Sequence, residues 1–369
     1  MAQQIRVGII GCGQIAQVHF AQYAKMSPDD VKVVAAADID EGCARRSAEK
    51  FGVAEVYTDF RKLLERDDID AVDVCLHNNF HRPATEAALR AGKHVYCEKP
   101  MAGSYRDAAS MLETARQAGR KLSIQLSTLY ANETRAAKEL IDAGELGELY
   151  FARSTGWRRR GRPYVDGYGT PTFVQKRNSA GGALYDMGVY HISQVLYLLG
   201  NPTVARVSGK TYQKTDMDPQ RRQASGYDVE ELGLGLVRFQ GDVTLDLIEA
   251  WAIHLDAFEG SYVVGSKGGV RLQPFGFFRS SGHMDLSSTA DLERSNFRWT
   301  NVAGDHAHYA GPQPHWIAAL QGKVDLLPTA EIALNTMLIS EAIYLSNDRR
   351  AEVTAQEVAE NSKSTAVGI

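Results

Sequence analysis

No stretch of the 369-residue sequence approaches the roughly 20 consecutive apolar residues that a membrane-spanning helix needs, so no membrane partner is expected. An excess of one charge is also missing: 41 Lys and Arg stand against 45 Asp and Glu, a formal net charge of −4. Without a basic field there is little to hold nucleic acid, and none is expected as a partner. Cysteine is scarce. The four residues Cys12, Cys43, Cys75 and Cys97 form no C-x-x-C pair. That argues against a zinc site or a disulfide framework, so reduced thiols and no metal are expected. "MAQQIRVGII" enters a strand-like run without the basic, apolar and small order of an export signal. A cytoplasmic setting is the expectation. Repeats, low-complexity tracts and long linkers are absent too. What remains is an ordinary globular composition, 44% hydrophobic and 23% charged, with length for about two domains.

Residues 1–128 alternate short apolar runs with helical patterns. The strand candidates are 5–10, 31–38, 71–76, 94–98 and 121–126, with helices at 14–26, 41–51, 59–66, 81–91 and 104–118. Continuous Val, Ile and Ala runs fit strands covered on both faces. With right-handed crossovers these give an α/β fold, a Rossmann-type doubly wound parallel sheet. Residues 129–369 read as an α+β domain. Their alternating runs and glycine turns predict a large, mostly antiparallel open sheet, with a helix over 183–199 packed on it. Residues 282–310 read as loop-rich, and a last helix starts at Thr329.

"VGIIGCGQIA" places Gly11, Gly13, Gln14, Ile15 and Ala16 between the first strand and the first helix. Gly11 permits the tight turn, Gly13 lets backbone approach a pyrophosphate, and Ala16 allows close helix–strand packing. The helix N-terminus offers unpaired N–H groups to phosphates. Asp38 ends the second strand, where a carboxylate accepts hydrogen bonds from ribose hydroxyls and repels a 2′-phosphate. NAD is therefore favoured over NADP, with Arg45 and Arg46 as the opposing signal.

Ligands in such sheets sit at the carboxyl ends of strands. Two of those ends carry Asn78 and His81, and Glu98-Lys99-Pro100, all expected on the nicotinamide side. Pro100 restricts Lys99 to extended backbone. For Glu98 two roles stand side by side: holding a cofactor ribose, or balancing its neighbour. In the second domain, Asp186 and Tyr190 are i and i+4 and share a helix face, while His191 is turned about 100° away. Lys99 would hydrogen-bond the reacting oxygen and favour the ionised form of Tyr190. Tyr190 would then carry the proton, with His191 as runner-up.

The segments "VGIIGCGQIA", "AALRAGKHVYCEKPMA", "AAKELIDAGELGEL" and "GGALYDMGVYHISQVLYLLGNP" make the sequence similar to the glucose–fructose oxidoreductase, inositol dehydrogenase and rhizopine catabolism family, Gfo/Idh/MocA. The resemblance implies nicotinamide-dependent oxidation or reduction of a sugar or polyol. It also implies a homodimer or homotetramer built through the C-terminal sheet. Lys99 matches the family's catalytic lysine and Asp186 its conserved acid. The position four residues after that acid is histidine in one branch and tyrosine in others; here it is Tyr190. The chain departs from the family at His77, where a proline is common, and at "STLYANE", which implies a divergent substrate pocket.

"GWRRRGRPY" holds Arg158, Arg159, Arg160 and Arg162. The run is either a solvated strand end or oligomer contact, or it sends Arg158 into the substrate cleft. Lys176, in "FVQK", is expected to hydrogen-bond substrate hydroxyls. His306, His308 and His315 lack metal-ligand spacing, although His306 and His308 are also candidates to line the pocket. Two alternatives to a dehydrogenase remain. One is glycoside cleavage or elimination through transient oxidation. The other is a non-catalytic dinucleotide sensor, which an intact Lys99, Asp186 and Tyr190 argue against.

Overall fold

The structure is a computed structural model, which describes residues 3–303 and 310–369. Six strands form the first sheet: β1 (Ile5–Ile10), β2 (Val31–Ala37), β3 (Glu55–Tyr57), β4 (Ala71–Val74), β5 (His94–Cys97) and β6 (Leu122–Ile124). All pair in parallel, in the order β3-β2-β1-β4-β5-β6. This is the doubly wound dinucleotide-binding order, with its switch point between β1 and β4. Every residue of β4 is buried, as a strand sandwiched between helix layers requires. β3 is an edge strand of three residues, none of them buried, too short and exposed to leave a readable pattern.

Helices α1 (Gln14–Ala24), α2 (Glu41–Phe51), α3 (Phe60–Leu64), α4 (Asn78–Arg90) and α5 (Tyr105–Ala118) follow β1 to β5. α4 begins at Asn78, three residues before the expected start at 81. Asparagine is a poor helix former, but tertiary bonds override it here. Asn78 donates to the Ser179 carbonyl at 2.7 Å and Asn79 to the Arg177 carbonyl at 2.6 Å. Pro83 inside α4 cannot donate to the Asn79 carbonyl. The Val367 N–H donates to it instead, at 3.1 Å, so the C-terminal segment completes the helix.

The second sheet has nine strands among the described residues. In chain order they are β7 (Leu149–Trp157), β8 (Val204–Tyr212), β9 (Leu232–Phe239), β10 (Thr244–Ala250), β11 (Tyr262–Gly265), β12 (Gly269–Arg271), β13 (Gly276–Ser281), β14 (Met284–Ser288) and β15 (Val353–Thr354). Their order is β14-β13-β12-β11-β7-β10-β9-β8-β15. Only the β7–β10 pair is parallel; the rest is antiparallel, as expected. The helices Val189–Leu198 and Thr329–Arg349 cover one face. The region read as loop-rich, 282–310, holds β14, which pairs with β13 just before it, and the helix Leu292–Asn301. These strands are mostly exposed on both faces and the helix buries no residue, so no hydrophobic period marks them.

The two sheets are joined by shared core. The helix Pro312–Leu320 returns to pack on α1 and places the Trp316 ring 6.0 Å from that of Tyr96 in β5. The Thr329 hydroxyl accepts the Ile124 N–H at 3.0 Å, so the last strand of the first sheet is pinned from the second half. Among the described residues, no helix is long and apolar enough to cross a membrane.

Candidate active site

The β1–α1 turn needs its glycines for different reasons. Gly11 has φ +92°, and a Cβ there would lie 2.3 Å from the Cys75 carbonyl oxygen. Gly13 sits at φ −68°, open to any residue, and a Cβ there would meet nothing within 4 Å. The space it leaves lies at the N-terminus of α1, whose first turn carries no acidic side chain. Gln14 and Ile15 are exposed at the same edge, Ile15 by 41%. Asp38 accepts the Cys12 N–H at 2.7 Å and the Asp40 N–H at 2.9 Å, fastening the end of β2 to the glycine turn. The turn fits a dinucleotide: its N–H groups would hold the pyrophosphate and Asp38 the ribose. Gly13→Val should therefore leave the melting temperature almost unchanged but weaken NAD binding by about tenfold or more, read by calorimetry.

β5 delivers Lys99 to the cleft between the sheets, with the Lys99–Pro100 peptide bond in the cis form. Lys99 Nζ lies 3.1 Å from Asp186 Oδ1 and 3.2 Å from the Asp186 carbonyl. The Trp251 indole donates to Asp186 Oδ2 at 2.9 Å. Burial works against the Lys99 charge, but Asp186, then Tyr190 and Glu98, hold its pKa well above the ordinary value. Burial likewise disfavours the Asp186 carboxylate, yet Lys99 and Trp251 keep its pKa below the usual range.

Tyr190 departs from expectation. Lys99 Nζ stands 4.6 Å from the centre of its ring, a cation–π contact. Lys99 does favour the phenolate, but burial, with Glu98 and Asp186, outweighs it and raises the Tyr190 pKa. The main reason is burial, to which the nearby Glu98 and Asp186 carboxylates add. Glu98 is buried, with Oε1 2.8 Å from His19 Nε2 and Oε2 accepting the Lys99 N–H at 2.9 Å. His81 is fully buried, with Nδ1 2.8 Å from the Pro100 carbonyl and Nε2 2.9 Å from the Leu76 carbonyl. It thereby ties two strand ends together. Asn78 is partly exposed, with its amide turned to Ser179.

Beside Asp186 opens a cavity of about 380 Å³. Tyr190, His191, Arg158, Trp157 and Phe258 share its wall with Asp186. The expected 183–199 helix begins with a π-helical turn, Leu184–Gly188, before the α-helix Val189–Leu198. Glu230 accepts the Gly182 N–H at 2.9 Å and the Leu184 N–H at 3.0 Å and so holds the start of that turn. His191 Nδ1 is 2.9 Å from Glu249 Oε2.

The arginine run divides. Arg158 reaches the cavity, while Arg162 is fully buried between Asp166 and Glu231 at 2.9 Å from each. Lys176 is exposed and does not line the cavity; its helix Lys176–Ser179 holds Nζ 6.0 Å from the Tyr344 ring. His315 is buried, and Nε2 accepts the Leu327 N–H at 2.9 Å. His306 and His308 lie outside the described residues. The four cysteines are free. His19, Asp73 and Cys75 bring potential ligand atoms within 4.8 Å of one another, a grouping their spacing in sequence did not reveal.

Comparison with known proteins follows the same division. Residues 5–126 match the family model described as an oxidoreductase family with an NAD-binding Rossmann fold. Residues 134–271 match the GFO/IDH/MocA C-terminal domain. D-glucoside 3-dehydrogenase of Escherichia coli (strain K12) is 30% identical over 95% of this chain and 97% of its own length. Myo-inositol 2-dehydrogenase of Thermotoga maritima is 31% identical over 53% of this chain and 55% of its own length. Levoglucosan dehydrogenase, solved with NADH and levoglucosan, superposes with a TM-score of 0.77 over 96% of this chain and 100% of its own, at 19% identity. That last likeness is one of fold.

Proposed function

Since this chain belongs to the GFO/IDH/MocA family of NAD-dependent oxidoreductases, we propose that it oxidises a ring hydroxyl of a sugar or polyol at Lys99. The observation that carries the reading is the Lys99–Asp186 pair, set at the carboxyl edge of β5 and opening on a polar-walled cavity in the other domain. When bound, the nicotinamide accepts or returns a hydride. The chain's own residues do the rest. Gly11 to Ile15 and Asp38 hold the dinucleotide. Lys99 donates a hydrogen bond to the substrate oxygen and stabilises negative charge there as its proton leaves. Asp186 and Trp251 fix the ammonium in place. Tyr190 and His191 are the groups placed to carry the proton, and Arg158 gives the cavity a donor for further hydroxyls.

A D-glucoside is the first substrate to try, because the relative matched over nearly its whole length is a glucoside dehydrogenase. The test is a panel of D-glucosides, inositols and anhydrosugars with NAD, followed by NADH formation and product analysis. Net NADH with a keto product is expected. A bound but unreduced NAD with every member would sink the reading, and free aglycone without net NADH would transfer it to cleavage through transient oxidation.

We also propose a homo-oligomer formed through the uncovered face of the second sheet. Leu234, Leu236 and Ile248 stand there part-exposed, Leu236 by 39%. Leu234→Glu with Leu236→Glu should lower the mass seen by light scattering to that of the monomer; a monomeric parent chain would contradict this.

A further inference from the structure

We propose that His191, held by the buried carboxylate of Glu249, carries the proton of the substrate hydroxyl, with Glu249 as its positioning residue. The inference rests on the dehydrogenase reading above and assigns a step within it.

The backbone brings His191 to the site. In a regular helix it would lie about 140° around the axis from Asp186, five residues earlier. The π-helical turn Leu184–Gly188 uses more residues per turn, and both Tyr190 and His191 reach the wall that Asp186 occupies. Glu249 lies on β10 with its side chain inward and is fully buried. Its Oε2 is 2.9 Å from His191 Nδ1, and its Oε1 accepts the Ser154 hydroxyl at 2.9 Å. A carboxylate only accepts, so Nδ1 keeps its proton and Nε2 is the nitrogen left to take one from the cavity. The His191 side chain is 29% exposed, enough for exchange with that cavity.

Space for the pair is reserved by a glycine on the adjacent strand. A Cβ at Gly156 would lie 2.2 Å from both Nδ1 and Cε1 of His191 and 2.3 Å from Glu249 Oε2. A residue with a side chain at position 156 would displace the pair. Tyr190 is placed otherwise, with its ring against Lys99 and its phenol held protonated by burial.

The groups facing His191 are Glu249 from β10, Arg158 just after β7, Asp186 and Tyr190 from its own segment, and Glu259 across the cavity. Burial disfavours the imidazolium and Arg158 opposes it, but Glu249 outweighs both and raises the His191 pKa. In the oxidation the substrate C–H bond breaks with its electron pair leaving as hydride to NAD, the oxidant. The O–H bond breaks with its proton passing to Nε2, and the carbonyl forms. The imidazolium then returns the proton to solvent.

Two measurements on the full chain test this. An NMR titration of ring-labelled histidine, assigned through His191→Gln, reads protonation without turnover. His191 should titrate above the ordinary imidazole value, and Glu249→Gln should lower its midpoint by about one to three pH units. In the wild type, kcat/KM for sugar oxidation should rise with pH through the same midpoint. Glu249→Gln should move that limb down with it. His191→Gln should abolish the limb and cost about 10²- to 10⁴-fold in kcat. A midpoint unmoved in Glu249→Gln overturns the inference. So does a limb that survives His191→Gln but vanishes in Tyr190→Phe. If no sugar reduces NAD, the dehydrogenase reading has failed and the proton-carrier role with it, while the NMR midpoint still reports whether the pair exists.

Discussion

Lys99→Ala should lower turnover by about 10³-fold while NAD affinity changes by no more than about twofold. The lysine is only partly exposed, with Nζ 3.1 Å from the Asp186 carboxylate and a donor left for substrate, and it bonds no part of the glycine turn. Its charge is therefore spent where negative charge develops on the substrate oxygen, not on holding the dinucleotide. The loss should fall on kcat more than on KM, because the interaction strengthens as the hydroxyl gives up its proton. Lys99→Arg should rescue little. A guanidinium is planar and larger, and cannot occupy the slot between Asp186 and the Tyr190 ring. Steady-state kinetics with isothermal titration of NAD separates the two effects. Near-normal turnover in Lys99→Ala would remove the lysine from the chemistry.

The second large effect concerns stability. His19→Ala should destabilise the chain by about 3–5 kcal/mol, read by denaturant unfolding. His19 is fully buried, with Nδ1 2.8 Å from Asp73 and Nε2 2.8 Å from Glu98. Both neighbours are acceptors, so the ring must donate from both nitrogens and carry a charge. Burial opposes that charge, yet Asp73 wins and holds the pKa well above the ordinary value. Removing the ring strands two buried carboxylates together. The pH dependence has a definite sign. A group whose pKa is raised by folding contributes its full stability below the unfolded value, about 6.5, and loses it as pH rises through the folded value. Wild-type stability should carry this downward slope above about pH 6.5, and His19→Ala should lack it. Since Glu98 also accepts the Lys99 N–H at 2.9 Å, the same substitution should loosen the strand end that presents Lys99.

The parts of this molecule that were legible in the sequence are those fixed by local chemistry. The glycine turn, Asp38 and the parallel strands follow from the backbone needs of a tight turn and from burial on both faces of a strand. Lys99 was legible from its place at the carboxyl end of a strand, Asp186 from sharing a helix face with Tyr190, and both from the family segments they match. The sequence does not tell which way a side chain turns at a strand end. The inward bonds of Glu98 to His19, and of His81 to the Leu76 and Pro100 carbonyls, were therefore not readable. His19 reads as a lone histidine in an apolar helix, and only the fold brings Asp73 and Glu98 to it. Glu249 alternates with Leu245 and Leu247 on the inward face of β10, a position where a charge is not expected until Ser154 and His191 are seen beside it. The π-helical turn is held by Glu230, nearly fifty residues later in the chain, so helical periodicity could not report it.

The central claim is that hydride leaves a sugar carbon for NAD beside Lys99. Isotope transfer tests it directly: the chain is mixed with NAD and D-glucosides, inositols or anhydrosugars deuterated at their ring carbinol carbons, and the reduced cofactor is weighed by mass spectrometry. The expected result is reduced cofactor carrying one deuterium, formed by the wild type and about 10³-fold more slowly by Lys99→Ala. Reduced cofactor without deuterium, or equal rates in the two chains, would contradict it.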